Sequence, residues 1–153
     1  MTTILPSCKY LMKFDGCSKG NPGHSGAGAV IYKSNDTGEY EEIWCGHYYV
    51  GHYNTNNEAE YSGLILGLHE AKQQNITQLM VCGDSQLIIR QMKKEYKVKS
   101  PALIEYNRDA VRLSAHFSEI TFMHIYREHN KRADELSNLG ITAFFEHEKS
   151  RTA

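Results

Sequence analysis

Four carboxylates along this 153-residue chain sit where a divalent metal ion could be held beside a phosphate. Asp15 lies in KFDGCSKGNPG, Glu60 in TNNEAEY, Asp84 in VCGDSQ and Asp134 in REHNKRADEL. Asp15 and Asp84 each close an apolar run, so their carboxylates are expected to project from strand tips. A cluster of such oxygens favours a hard cation such as Mg²⁺ over zinc. The chemistry indicated is metal-assisted phosphodiester hydrolysis, in which two ions about 3.5–4 Å apart require several convergent carboxylates.

Each carboxylate also has a plain structural reading. An aspartate before glycine is an ordinary turn residue, Asp84 before Ser85 and a helix is an ordinary cap, and Asp134 in a first helical turn complements the helix dipole. In TNNEAEY, residues 58 and 60 project roughly 200° apart on a helix, so Glu58 and Glu60 cannot both face one metal site. If Glu60 faces the site, Glu58 is free to act at the helix N-terminus, and Ser85 can cap in place of Asp84.

These residues need a scaffold. Residues 9–14 and 27–32 read as strands around a glycine-rich turn at 16–26, and residues 41–50 as a third strand, rich in β-branched and aromatic side chains. From Asn56 the period becomes helical, with Ala59, Leu64, Leu68 and Ala71 on one face and Asn56 or Asn57 as the cap. Gly63 and Gly67 lower helix propensity, a cost that close packing on a sheet would offset. A buried strand at 79–82, a short helix at 86–92, a longer helix at 101–116, a strand at 120–126 and a closing helix from 133 follow. Helices alternating with the later strands imply parallel pairing through right-handed crossovers, and therefore a mixed α/β sheet.

The length suits one domain over residues 9–145, with an N-terminal tail at 1–8 and a C-terminal tail at 146–153 that is expected to be disordered. The N-terminal residues lack signal-peptide character and no apolar run approaches a membrane span, so an intracellular protein, cytoplasmic or nuclear, is expected. Four cysteines without a CxxC pair are expected to be buried free thiols, and eight histidines without ligand spacing to be structural. A net charge of −1 excludes binding by overall attraction to nucleic acid. Local charge is uneven: Arg90, Lys93, Lys94, Lys97 and Lys99 crowd one segment, which suits contact with a polyanion backbone.

Taken together, DGCSKGNPGHSGAGAV, TNNEAEY, GDSQLII and REHNKRADELSN resemble, in order and spacing, the type 1 ribonucleases H, most closely the short archaeal and plant-like members. The resemblance covers most of the chain and implies a five-stranded sheet of order 3-2-1-4-5 with strand 2 antiparallel. It implies an endonuclease that cuts the RNA strand of an RNA–DNA hybrid with two Mg²⁺ ions, or Mn²⁺ in their place, giving 5′-phosphate and 3′-hydroxyl ends. Asp15, Glu60, Asp84 and Asp134 would hold the metals. Gly16, Ser18, Asn21, Asn56 and Asn57 would meet the hybrid, Gly16 and Ser18 by letting backbone approach the RNA strand, and Thr55 a DNA phosphate. Either His129 would assist proton transfer, as a histidine on a longer loop does in larger relatives, or it is simply exposed and Arg127 would steady phosphate instead. The basic protrusion of those relatives is missing, and Lys97 with its neighbours would partly replace it. A monomer is expected, with no protein partner implied. Action on double-stranded RNA or RNA–DNA junctions, or a weakly catalytic binding module, are the alternative readings.

Overall fold

The computed structural model describes residues 8–152. The first strand, β1 (Tyr10–Lys19), buries both faces because it lies mid-sheet. Met12 and Phe14 enter the main core with Tyr61, Leu64 and Ile88, while Leu11 joins a smaller cluster with Met80 and Cys82. Strands β2 (Gly23–Ser34) and β3 (Tyr40–Asn54) complete an antiparallel meander with β1, and β4 (Gln78–Gly83) and β5 (Glu119–His124) add in parallel on its other side. The order is β3-β2-β1-β4-β5, as expected.

Helix α1 (Asn56–Gln73) packs on β1 and β2, with α2 (Gln86–Met92) and α3 (Pro101–Ser114) beside it; α4 (Lys131–Thr152) crosses β2, β3 and β1. Alternate residues of β2 separate the two layers. A Cβ at Gly28 would meet the backbone and side chain of Leu136 on α4, whereas Ala29 joins the core beneath α1. No helix among the described residues is long and apolar enough to cross a membrane.

Several boundaries differ from those expected. The glycine-rich stretch 16–26 is mostly strand, with the reversal confined to the segment between β1 and β2, where Gly20 (φ 109°) and Asn21 (φ 34°) adopt left-handed backbone. Its glycines signal close approach of helix backbone as much as turning: a Cβ on Gly16 would lie 2.1 Å from the carbonyl carbon of Ala59, and one on Gly26 2.1 Å from the carbonyl oxygen of Ser137. The fifth strand stops at His124 and a single 3-10 turn, Arg127–His129, leads to α4. Residues 146–152, expected to be disordered, continue α4 instead, supported by an Arg151–Glu148 ion pair at 3.3 Å and by the seated turns before them. Of the N-terminal tail only Cys8 lies within the described residues. All four cysteines are free, but only Cys82 is buried and the other three are half-buried.

Candidate active site

Register brings the first two carboxylates together. Phe14 on β1 pairs with Gly83 on β4, so Asp15 and Asp84 stand one residue beyond the last pair of neighbouring parallel strands. Helix α1 supplies the third from its second turn. It can approach because Gly63 has no side chain; a Cβ there would lie 2.3 Å from the carbonyl oxygen of Asp15. Oxygens of Asp15, Glu60 and Asp84 then lie within 4.8 Å of one another. They sit in a cleft of about 290 Å³ that Asn56, Arg127 and Asp134 also line. Asp134, on the first turn of α4, is outside the tight group of three and more exposed, yet its side chain is near enough for its charge to act on Asp15.

Crowding beside other carboxylates and burial resist the ionisation of Asp15 and Glu60. Asp15 is 6% exposed, and burial, the charge of Asp84 and contact with Asp134 push its carboxyl up to about 8, against a hydrogen bond from the Gly16 backbone. Burial, Asp15 and Asp84 push Glu60 up to about 9, opposed by Arg127. Oε1 of Glu60 is buried and has no hydrogen-bond partner among the described residues. An oxygen-only donor set with an unpartnered buried carboxylate oxygen fits a hard divalent cation.

The competing structural roles fall to neighbours. Thr55, not Asn56 or Asn57, caps α1 in a capping box: its hydroxyl accepts from the Glu58 N–H at 3.2 Å and Glu58 accepts from the Thr55 N–H at 2.8 Å. Glu58 is thereby held away from Glu60. Ser85 caps α2, leaving Asp84 to the cleft.

The expected substrate residues lie along the cleft and a neighbouring groove, with Asn21 common to two of their contacts. Ser18, Asn21 and Asn56 interlock: Asn56 Oδ1 accepts from the Ser18 N–H at 2.8 Å, Asn21 Oδ1 from the Asn56 N–H at 2.9 Å, and the Ser18 hydroxyl donates to Asn54 O at 2.7 Å. Gly16 lines the cleft, but its missing side chain serves the contact with α1. Thr55, Asn57, Asn21, Lys97 and Lys99 border a second groove of about 560 Å³. Arg127 lines the cleft, whereas the exposed His129 does not, and its carbonyl accepts from Lys13 Nζ at 2.8 Å. A larger groove of about 700 Å³, between α3 and β5, contains none of the carboxylates, although Lys93 and Lys94 of the basic segment border it.

Sequence reasoning missed Asn130. It is buried and donates to Phe14 O and to Asp84 Oδ2, both at 3.0 Å. Its one sequence signal was an asparagine placed immediately before α4.

Among known proteins, a family model described as "Reverse transcriptase-like" matches residues 13–140. Ribonuclease HI of Halobacterium salinarum is 36% identical over 125 residues, 82% of this chain and 60% of that protein. The chain belongs to the type 1 ribonuclease H family. Within the ribonuclease H family, the solved N-terminal RNase H domain of Rv2228c from Mycobacterium tuberculosis has a TM-score of 0.82 at 35% identity, covering 92% of this chain and 99% of that one. LC11-RNase H1, solved in complex with an RNA/DNA hybrid, has a TM-score of 0.79 at 36% identity, covering 90% and 99%. The chain spans 36% of the length of the mycobacterial relatives it matches.

Proposed function

We propose that this chain is an endoribonuclease that hydrolyses the RNA strand of RNA–DNA hybrids with two Mg²⁺ ions, leaving 5′-phosphate and 3′-hydroxyl ends. The observation that carries the reading is the group of Asp15, Glu60 and Asp84 oxygens within 4.8 Å, with one Glu60 oxygen unpartnered. Asp15, Glu60 and Asp84 would hold the metals, joined by Asp134 at the open side; Mn²⁺ suits the same donors. The chemistry such ions supply when bound is activation of a water and neutralisation of charge at the leaving 3′-oxygen.

The chain's own residues orient the substrate. Arg127 at the rim steadies the phosphate in the cleft. Asn56, its Oδ1 already used, keeps its amide N–H groups for base edges or 2′-hydroxyls, and Asn57 and Asn21 act beside it. Ser18 and Gly16 bring the backbone of β1 to the RNA strand. Thr55, Lys97 and the adjacent Lys99 receive the DNA backbone in the second groove, fixing register without reading sequence. His129, exposed on the turn that carries Arg127, would assist proton transfer as product leaves. The reading is of a monomer acting inside the cell.

Asp15→Asn tests it. That variant is expected to lose cleavage by about a thousandfold or more while binding hybrid with near-parental affinity, since it weakens the metal site but leaves the residues that meet the hybrid in place. Near-normal turnover would overturn the metal assignment.

A further inference from the structure

We infer that Asn130 is a positioning residue that sets Asp84 and the tip of β1 for metal binding, at the expense of capping α4. Asparagine at the position before a helix ordinarily turns its side-chain oxygen onto an N–H of the first turn. Here that oxygen, Oδ1, is buried and has no partner among the described residues. The amide nitrogen instead divides its two hydrogens between Phe14 O and Asp84 Oδ2, each at 3.0 Å. The opposite amide orientation would set Oδ1 against a carbonyl and a carboxylate oxygen, so the donor assignment follows from the partners.

The placement links three of the four carboxylates. Phe14 immediately precedes Asp15, Asp84 is contacted directly, and the Asn130 carbonyl accepts from the Asp134 N–H at 3.0 Å. The side chain is 1% exposed, so no solvent competes for these bonds. A forgone cap and an unpartnered buried acceptor both work against stability, and such departures from local rules collect where function requires them. Groups that hydrogen-bond a ligating carboxylate orient it, and here the Asn130 amide fixes Asp84 through its Oδ2.

The role rests on the metal-site reading proposed above. Asn130→Ser separates positioning from structure, because a serine hydroxyl can cap α4 yet has one hydrogen to donate where the amide has two. Titration of Mn²⁺ alone by calorimetry is expected to show a Kd about tenfold or more weaker than the parent's, with Tm equal to the parent's or above it. The Mg²⁺ concentration for half-maximal cleavage should rise likewise, with KM for hybrid at saturating metal unchanged. A variant Kd within about twofold of the parent's would overturn the inference. Parental protein that binds no Mn²⁺ would remove the metal-site reading and this inference together; equal binding by parent and variant would remove only the role of Asn130. Should the variant not fold, the parent's Asn130 side-chain amide resonances can be followed through a Mg²⁺ titration. Shifts that saturate with the calorimetric midpoint support the role, and stationary resonances overturn it.

Discussion

Asp15 and Glu60 show what the site costs the fold when no metal is bound. Burial pushes their carboxyls up to about 8 and about 9, helped by the charges of Asp84 and Asp134 at Asp15 and of Asp15 and Asp84 at Glu60. A carboxyl whose folded value lies above its unfolded one favours folding most when both states are protonated, and that contribution is lost as pH rises toward the folded value. In chelator, the stability of the parent is therefore expected to fall as pH rises from about 4 through 8–9. Asp15→Asn should flatten part of that slope and raise Tm at neutral pH by about 2–4 °C for each 1 kcal/mol gained. Thermal melts across pH, with and without Mg²⁺, read this directly. Equal slopes in parent and variant would contradict the electrostatic account. All four carboxylates were legible because each stands at a motif of its own. Asn130 was not, because its partners lie 116 and 46 residues away and only the fold brings them together.

At the scale of elements, the site depends on how closely α1 meets β1. Gly63→Ala would place a methyl 2.3 Å from the Asp15 carbonyl oxygen and 2.9 Å from that of Gly28, both backbone atoms that cannot turn aside. The variant is expected to lose about 1–3 kcal/mol in denaturant melts and to bind metal more weakly, because the displaced helix carries Glu60. Unchanged stability would show that the interface has slack. The cost of Gly63 and Gly67 in the helix, and its release by close packing, could be anticipated from sequence. The hairpin was harder to read. Glycine serves equally as a turn residue and as a seat for a helix, and only the positions of Ala59 and Ser137 show which applies at Gly16 and Gly26. Residues 146–152 were misjudged for a different reason: they lack an apolar face, but a helix already anchored upstream adds turns without paying for nucleation.

Over the whole molecule, a net charge of −1 leaves hybrid affinity to local cations. Lys97 and Lys99 border the groove beside Thr55 and Asn57, while Arg127 stands in the cleft. Affinity should fall steeply with salt, and Lys97→Ala or Lys99→Ala should each reduce the slope of log K against log salt by about 1. Slopes equal to the parent's would place the DNA strand elsewhere.

The central claim, metal-dependent cutting of RNA within a hybrid, is tested most directly with end-labelled RNA–DNA hybrid, duplex RNA and duplex DNA, each incubated with Mg²⁺, Mn²⁺ or chelator. The expected result is cleavage of the RNA strand of the hybrid alone, in both metals and not in chelator. Cleavage that persists in chelator, or none at all by protein that is folded and binds the hybrid, would contradict it.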